Sequence, residues 1–198
     1  MNGMKQALLQ AREALEEGEI PVGAVLMRGE EVLWADHNRR EQLHDPTAHA
    51  EMLCLRRGAE KLGNWRLNEC TLYVTLEPCP MCAGAIVMSR LGRVVYGAAD
   101  PECGCCGSVY DLPADPALKA DTRWEAGNME KECADLLERF FRQRRNSAKQ
   151  TEKREPLHET DGDGFPQRRN GTHDAETAGD GFGHRRNGNH AVKTGIRL

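Results

Sequence analysis

The stretch T-L-Y-V-T-L-E-P-C-P-M-C-A-G-A-I, residues 71 to 86, decides how this chain folds. Thr71 to Leu76 is rich in β-branched and aromatic residues and reads as a buried strand. The strand stops at Glu77-Pro78, and Pro80 with Met81, Ala83, Ala85, Ile86 and Val87 opens a helix. Cys79 and Cys82 thus lie near a helix N-terminus, where unpaired N–H groups and the helix dipole favour thiolate over thiol.

Working outward, Met4, Ala7, Leu8, Ala11, Ala14 and Leu15 recur at helical spacing until Gly18. Val22 to Met27 and Glu31 to Ala35 read as two strands joined by a turn at Arg28-Gly29-Glu30. Asp45-Pro46 suits a helix start, since Asp caps and Pro tolerates the first helical position. Ala48, Met52, Leu55 and Ala59 then mark a helix carrying His49 near its beginning. Beyond residue 86 the pattern predicts a strand at Arg93 to Gly97, a short strand at Thr122 to Ala126 and a closing helix from about Asn128 to Arg145. This α-β-β-α-β-α-β-β-α order implies an α/β fold, a three-layer α/β/α sandwich around a mixed central sheet.

The second informative run is T-A-H-A-E at 47 to 51. The His49 imidazole and the Cys79 and Cys82 thiolates are borderline-to-soft donors that suit tetrahedral zinc. Three protein ligands leave a fourth position for water, the mark of a catalytic zinc site. Glu51, two residues from His49, is near enough to take a proton from that water and hand it on. Two other readings exist. Cys79 and Cys82 also have the C-x-x-C spacing of a redox pair, which leaves His49-Ala50-Glu51 without a purpose. A closed structural site with a fourth cysteine has no use for Glu51. Cys103-Gly104-Cys105-Cys106 is a second cluster, open to a metal or redox reading or to none.

The chain has 198 residues and a net charge of −4. Residues 1–146 carry nearly all the apolar periodicity and form one domain of ordinary size. Residues 147–198 hold ten residues of the set AVILMFWYC and eight glycines, too little apolar surface for a core, so a disordered tail is expected. Within it, Gly162 to His173 recurs as Gly179 to His190 with nine of twelve positions alike. Its Arg-Arg pairs and Phe165 and Phe182 suit RNA, as they suit a solvated extension. The mild charge excludes a globally basic nucleic-acid binder and requires a local patch. One candidate is Arg139-Phe140-Phe141-Arg142-Gln143-Arg144-Arg145, although cations also complement the dipole at any helix C-terminus. Neither an apolar leader nor a membrane-length apolar run appears, and eight cysteines without an export signal read as reduced thiols, so a cytoplasmic protein is expected.

The pair H-x-E and P-C-x-x-C is the known signature of zinc nucleobase deaminases. The wider runs D-P-T-A-H-A-E at 45 to 51, residues 71 to 86, and G-R-V-V-Y-G-A at 92 to 98 resemble the bacterial tRNA-specific adenosine deaminases over about residues 4 to 146. That resemblance implies a cytidine-deaminase-like fold and one zinc ion per subunit. It also implies a homodimer acting on a tRNA anticodon stem-loop, with wobble adenosine converted to inosine by hydrolysis. His49, Cys79 and Cys82 match the ligand positions and Glu51 the proton shuttle. Asn38 matches a side chain that holds the target base, and Asp100 a position near the flanking ribose; each is equally at home as a turn residue. The Ala50 N–H would help hold the base, and Phe141 and Arg144 would meet the RNA. Guanine or another free base or nucleotide is the alternative substrate, and a noncatalytic zinc-bearing RNA-binding partner the alternative of another class.

Overall fold

A computed structural model describes residues 2–119 and 121–152, the last five as backbone. Helix α1 spans Gly3–Glu16 and is capped by Asn2, whose side-chain oxygen accepts from the Met4 and Lys5 amides. Strands β1 (Gly23–Arg28) and β2 (Glu31–His37) follow, then a short helix α2 (Arg40–Leu43) and helix α3 (Ala50–Leu62). Strand β3 (Cys70–Leu76), helix α4 (Pro80–Met88), strand β4 (Arg93–Ala98), strand β5 (Arg123–Glu125) and helix α5 (Glu130–Glu152) complete the order.

The five strands lie in the order β2-β1-β3-β4-β5. β1 runs antiparallel to both neighbours, whereas β3, β4 and β5 are parallel. The parallel part requires crossovers: α4 connects β3 to β4, and residues 99–122, with one turn of 3-10 helix at Pro116–Leu118, connect β4 to β5. Strand β1 alternates its side chains between two apolar clusters. Ala24 and Leu26 join Leu72, Val74 and Val94 beneath α3 and α4. Val25 and Met27 join Met4, Leu8, Cys133 and Leu136 of α1 and α5 on the other face. The result is the expected three-layer α/β/α sandwich with a mixed sheet. Both faces of β1 are covered, so its run is buried from Gly23 through Met27.

Close packing of α1 on β1 depends on Gly23. A Cβ there would overlap the Ala7 carbonyl oxygen and the Ala11 amide nitrogen, both backbone atoms that cannot rotate away. Gly23→Ala is expected to destabilise the fold by about 1–3 kcal/mol, the usual cost of overpacking, read as a lower thermal midpoint.

Three local expectations are corrected. Asp45 does not cap α3: its side chain accepts from the Thr47 amide and hydroxyl, closing a local turn. The helix starts at Ala50 with His49 as its extended N-cap residue, and its buried face includes Leu53, Cys54 and Gly58. Helix α2 was not expected, because four residues carry no apolar period. Helix α5 starts at Glu130 and continues to Glu152, past Arg145 and into the stretch expected to be a disordered tail. The rest of that tail, with its repeat, lies outside the described residues. No helix among the described residues is long and apolar enough to cross a membrane.

Candidate metal and catalytic site

Two helix starts meet at the C-terminal end of β3. His49 precedes α3 in extended conformation with ψ 151°, and Cys79 precedes α4 with ψ 173°. Pro80 holds the first helical position of α4, which leaves Cys82 one turn in and fully buried. His49 Nδ1 lies 3.7 Å from Cys79 Sγ and 3.6 Å from Cys82 Sγ. Among the described residues these three form the group whose donor atoms could hold a metal, all within 4.8 Å of one another. Bonds of about 2.0–2.3 Å in tetrahedral coordination set donors about 3.5–3.8 Å apart, so the spacing fits zinc.

The electrostatics fit as well. Cys79 and Cys82 share a hydrogen bond that lowers Cys79 to a pKa of about 4 and drives Cys82 upward, with burial and Glu51 adding to the rise at Cys82. The bond from Cys79 also raises His49. Glu51 is 3 % exposed, and burial lifts its carboxyl to about 6. Its Oε2 is buried without a hydrogen-bond partner. Two sulfurs and a carboxylate crowded out of water favour a cation, which would hold both sulfurs as thiolates.

The site opens into a cleft of about 530 Å³. Asn38, Glu51, Asp100 and Phe141 line it together with His49 and Cys79. Two residues expected to meet the base are bonded to each other: the Ala50 N–H donates to Asn38 Oδ1 at 2.9 Å. A backbone amide can only donate, so the Asn38 oxygen is fixed there and its Nδ2 is the free end. The buried His37 steadies this residue through an Nδ1–H bond of 2.8 Å to the Asn38 carbonyl, with Nε2 3.5 Å from Glu17 Oε2. Asp100 Oδ1 accepts from the Glu102 and Cys103 amides, so the residue builds a turn on the cleft wall and leaves Oδ2 uncommitted. Phe141 comes from α5, one turn beyond Leu137, which also lines the cleft. Arg144 does not line it; its guanidinium lies 5.6 Å from the centre of the Phe140 ring.

Arg40 and Glu77 are among the cleft residues that the sequence does not single out. Arg40 of α2 reaches the cleft, and its only sequence signal is proximity to Asn38. Glu77 is a buried carboxylate between an apolar strand and Pro78, and that contrast was the available signal. Burial pushes its carboxyl up, but hydrogen bonds from Ser108, Asp100 and Cys106 outweigh this and hold it below the ordinary value. In the second cysteine cluster Cys105 and Cys106 are buried and Cys103 is exposed on the cleft rim, and among the described residues these thiols do not form a group of three converging metal donors.

Comparison with known proteins gives a consistent picture. The MafB19-like deaminase family matches residues 1–145. The tRNA-specific adenosine deaminase of Bacillus subtilis (strain 168) is 45% identical over 150 residues, covering 76% of this chain and 93% of that protein. The enzyme of the same name from Aquifex aeolicus (strain VF5) is 42% identical over 144 residues, covering 73% and 95%. A structure solved in studies of A-to-I editing by tRNA:A34 deaminases is 42% identical with a TM-score of 0.66, covering 68% of this chain and 98% of that one. Guanine deaminase from Nitrosomonas europaea shares the fold alone, at 22% identity and a TM-score of 0.60 over 70% and 82%. With a MafB19-like deaminase domain whose relatives agree along nearly their whole length, the chain belongs to the tRNA-specific adenosine deaminases.

Proposed function

We propose that this protein hydrolyses the wobble adenosine of a tRNA anticodon to inosine and ammonia, with one zinc ion per subunit held by His49, Cys79 and Cys82. The observation that carries the reading is the partnerless buried Glu51 oxygen beside the three donors, at the floor of a cleft open to solvent. The bound metal would supply Lewis acidity that brings the pKa of water near neutrality. Glu51 takes one proton from the attacking water and delivers it to adenine N1. It then carries the second to the departing amine, so that C6–O forms, C6–N breaks and ammonia leaves. A carboxyl raised toward neutrality by burial suits both directions of transfer.

The other cleft residues bind. Asn38 Nδ2 donates to an acceptor nitrogen of the purine, since its oxygen is held by Ala50. Asp100 Oδ2 accepts from a ribose hydroxyl, and the half-exposed Phe141 ring offers a stacking face to a splayed base. Arg144 and its neighbouring arginines on α5 meet phosphates. A single-stranded anticodon loop lets the adenosine enter with little unstacking cost. A tRNA substrate and eight free cysteines accord with work in the cytoplasm.

Helix α4 supports a homodimer. It is apolar on every side, and Met88 is 67 % exposed while Ile86 and Val87 are buried. Light scattering should give twice the chain mass, and Met88→Asp should shift it to the monomer; an unchanged mass in the variant removes α4 from the interface.

The function is tested by inosine formation in an anticodon stem-loop carrying wobble adenosine, with free adenosine, cytidine and guanine in parallel. Turnover confined to the stem-loop supports the proposal. Turnover of a free base with an untouched stem-loop overturns it in favour of small-molecule deamination.

A further inference from the structure

Glu77 lies where β3 ends and the chain turns toward Cys79, and it is 2 % exposed. A carboxylate removed from water needs donors for its lone pairs. Here all come from one loop: the amides of Asp100, Cys106 and Ser108 at 3.0, 2.9 and 3.0 Å, and the Ser108 hydroxyl. The Cys105 amide ties the same loop to the Pro78 carbonyl at 2.9 Å, one residue from the ligand Cys79. A Cβ on Gly104 would overlap the Glu77 carboxylate, so the missing side chain lets the loop wrap around the charge. That loop supplies the cleft wall from Ala99 to Cys103. The carboxylate therefore joins the metal-ligand turn to the surface facing the substrate.

We propose that Glu77 is a positioning residue: by anchoring the 99–108 loop to the turn bearing Cys79, it sets the wall against which the nucleotide beside the target base is held. The substrate part of this inference rests on the function proposed above. The wall governs binding more than chemistry, because Glu51 and the three metal donors lie on other hydrogen bonds.

The test is Glu77→Gln in the full-length, zinc-loaded protein. The amide keeps the size but loses the charge, and it turns an NH2 group toward amide donors. Exchange of the Asp100, Cys106 and Ser108 amides should accelerate about tenfold or more, with β3 and β4 core amides unchanged. KM for the stem-loop should rise about tenfold, kcat should change less than about threefold, and zinc content should hold. Ser108→Ala, which removes one donor, should move each readout the same way by a smaller step, and it keeps the test decisive if Glu77→Gln does not fold. Unaltered exchange, loss of zinc, or a fall in kcat at constant KM overturns the proposal. Exchange needs no substrate. A wild-type protein inactive on the stem-loop therefore defeats the proposed function alone, and KM is then read on whichever base is turned over.

Discussion

Glu51→Gln is expected to lower turnover of the stem-loop by about a thousandfold, near the middle of the roughly 10²–10⁴ range for a lost general acid–base. The substitution leaves the rest of the site in place. Gln fills the same buried volume at the start of α3, and none of the three metal donors changes, so zinc content should match the parent. What disappears is a group that can bind and release a proton beside the cage. Burial opposes the charged form of Glu51 and lifts its carboxyl to about 6, so the neutral amide removes a destabilising term. The variant should therefore melt at the same temperature or higher, as expected when a group placed for chemistry works against the fold. Turnover and metal content measured together decide the matter. Retained turnover would assign the proton to another group, and lost zinc would make Glu51 part of the metal shell.

The outcome bears on which parts of the site the amino-acid pattern can reveal. His49, Glu51, Cys79 and Cys82 are legible because metal ligation demands particular side chains at short spacings, each pair on one local turn. The strands are legible for a similar reason: alternation in β1 and the apolar run in β3 are periodic signals within a few residues. Features that depend on partners distant in sequence are not. The bond from Ala50 to Asn38 joins a helix start to the chain beyond β2. It commits the Ala50 N–H and the Asn38 oxygen to each other and leaves Asn38 Nδ2 as the free end, a division that no local spacing marks. Glu77 becomes intelligible only when the 100–108 loop folds back over it. Asp45 failed for a local reason, competition: a short acidic side chain caps either a helix or a turn, and Thr47 offers the nearer donors. Asp100 could be a turn residue or a ribose contact, and the structure gives one carboxylate oxygen to the turn and leaves the other free.

Cys82→Ala should have the other large effect, and it separates the metal from the fold. Cys82 is fully buried in α4, so it could be a packing residue, a ligand or both. As packing it is replaceable, because a buried cysteine behaves as a small hydrophobe and alanine leaves only a small void. As a ligand it is not, since His49 and Cys79 alone leave two donors for an ion that takes three protein ligands in a catalytic site. Zinc per chain should fall from about one to near zero after dialysis, with activity following it. Unfolding should stay cooperative, because the apolar clusters on the two sheet faces do not need the metal to bury their side chains. Stability should still drop by the binding term, about 2.7 kcal/mol when free zinc stands a hundredfold above its Kd. Cys54→Ala is the matched control. Cys54 is another fully buried thiol, held far above its ordinary pKa by burial, and it donates to the Ala24 carbonyl at 3.3 Å. Its loss should leave zinc and turnover intact. Zinc retained at parental affinity in Cys82→Ala would break the assignment of the cage, and equal metal loss in both variants would mean that any damage to this core releases the ion.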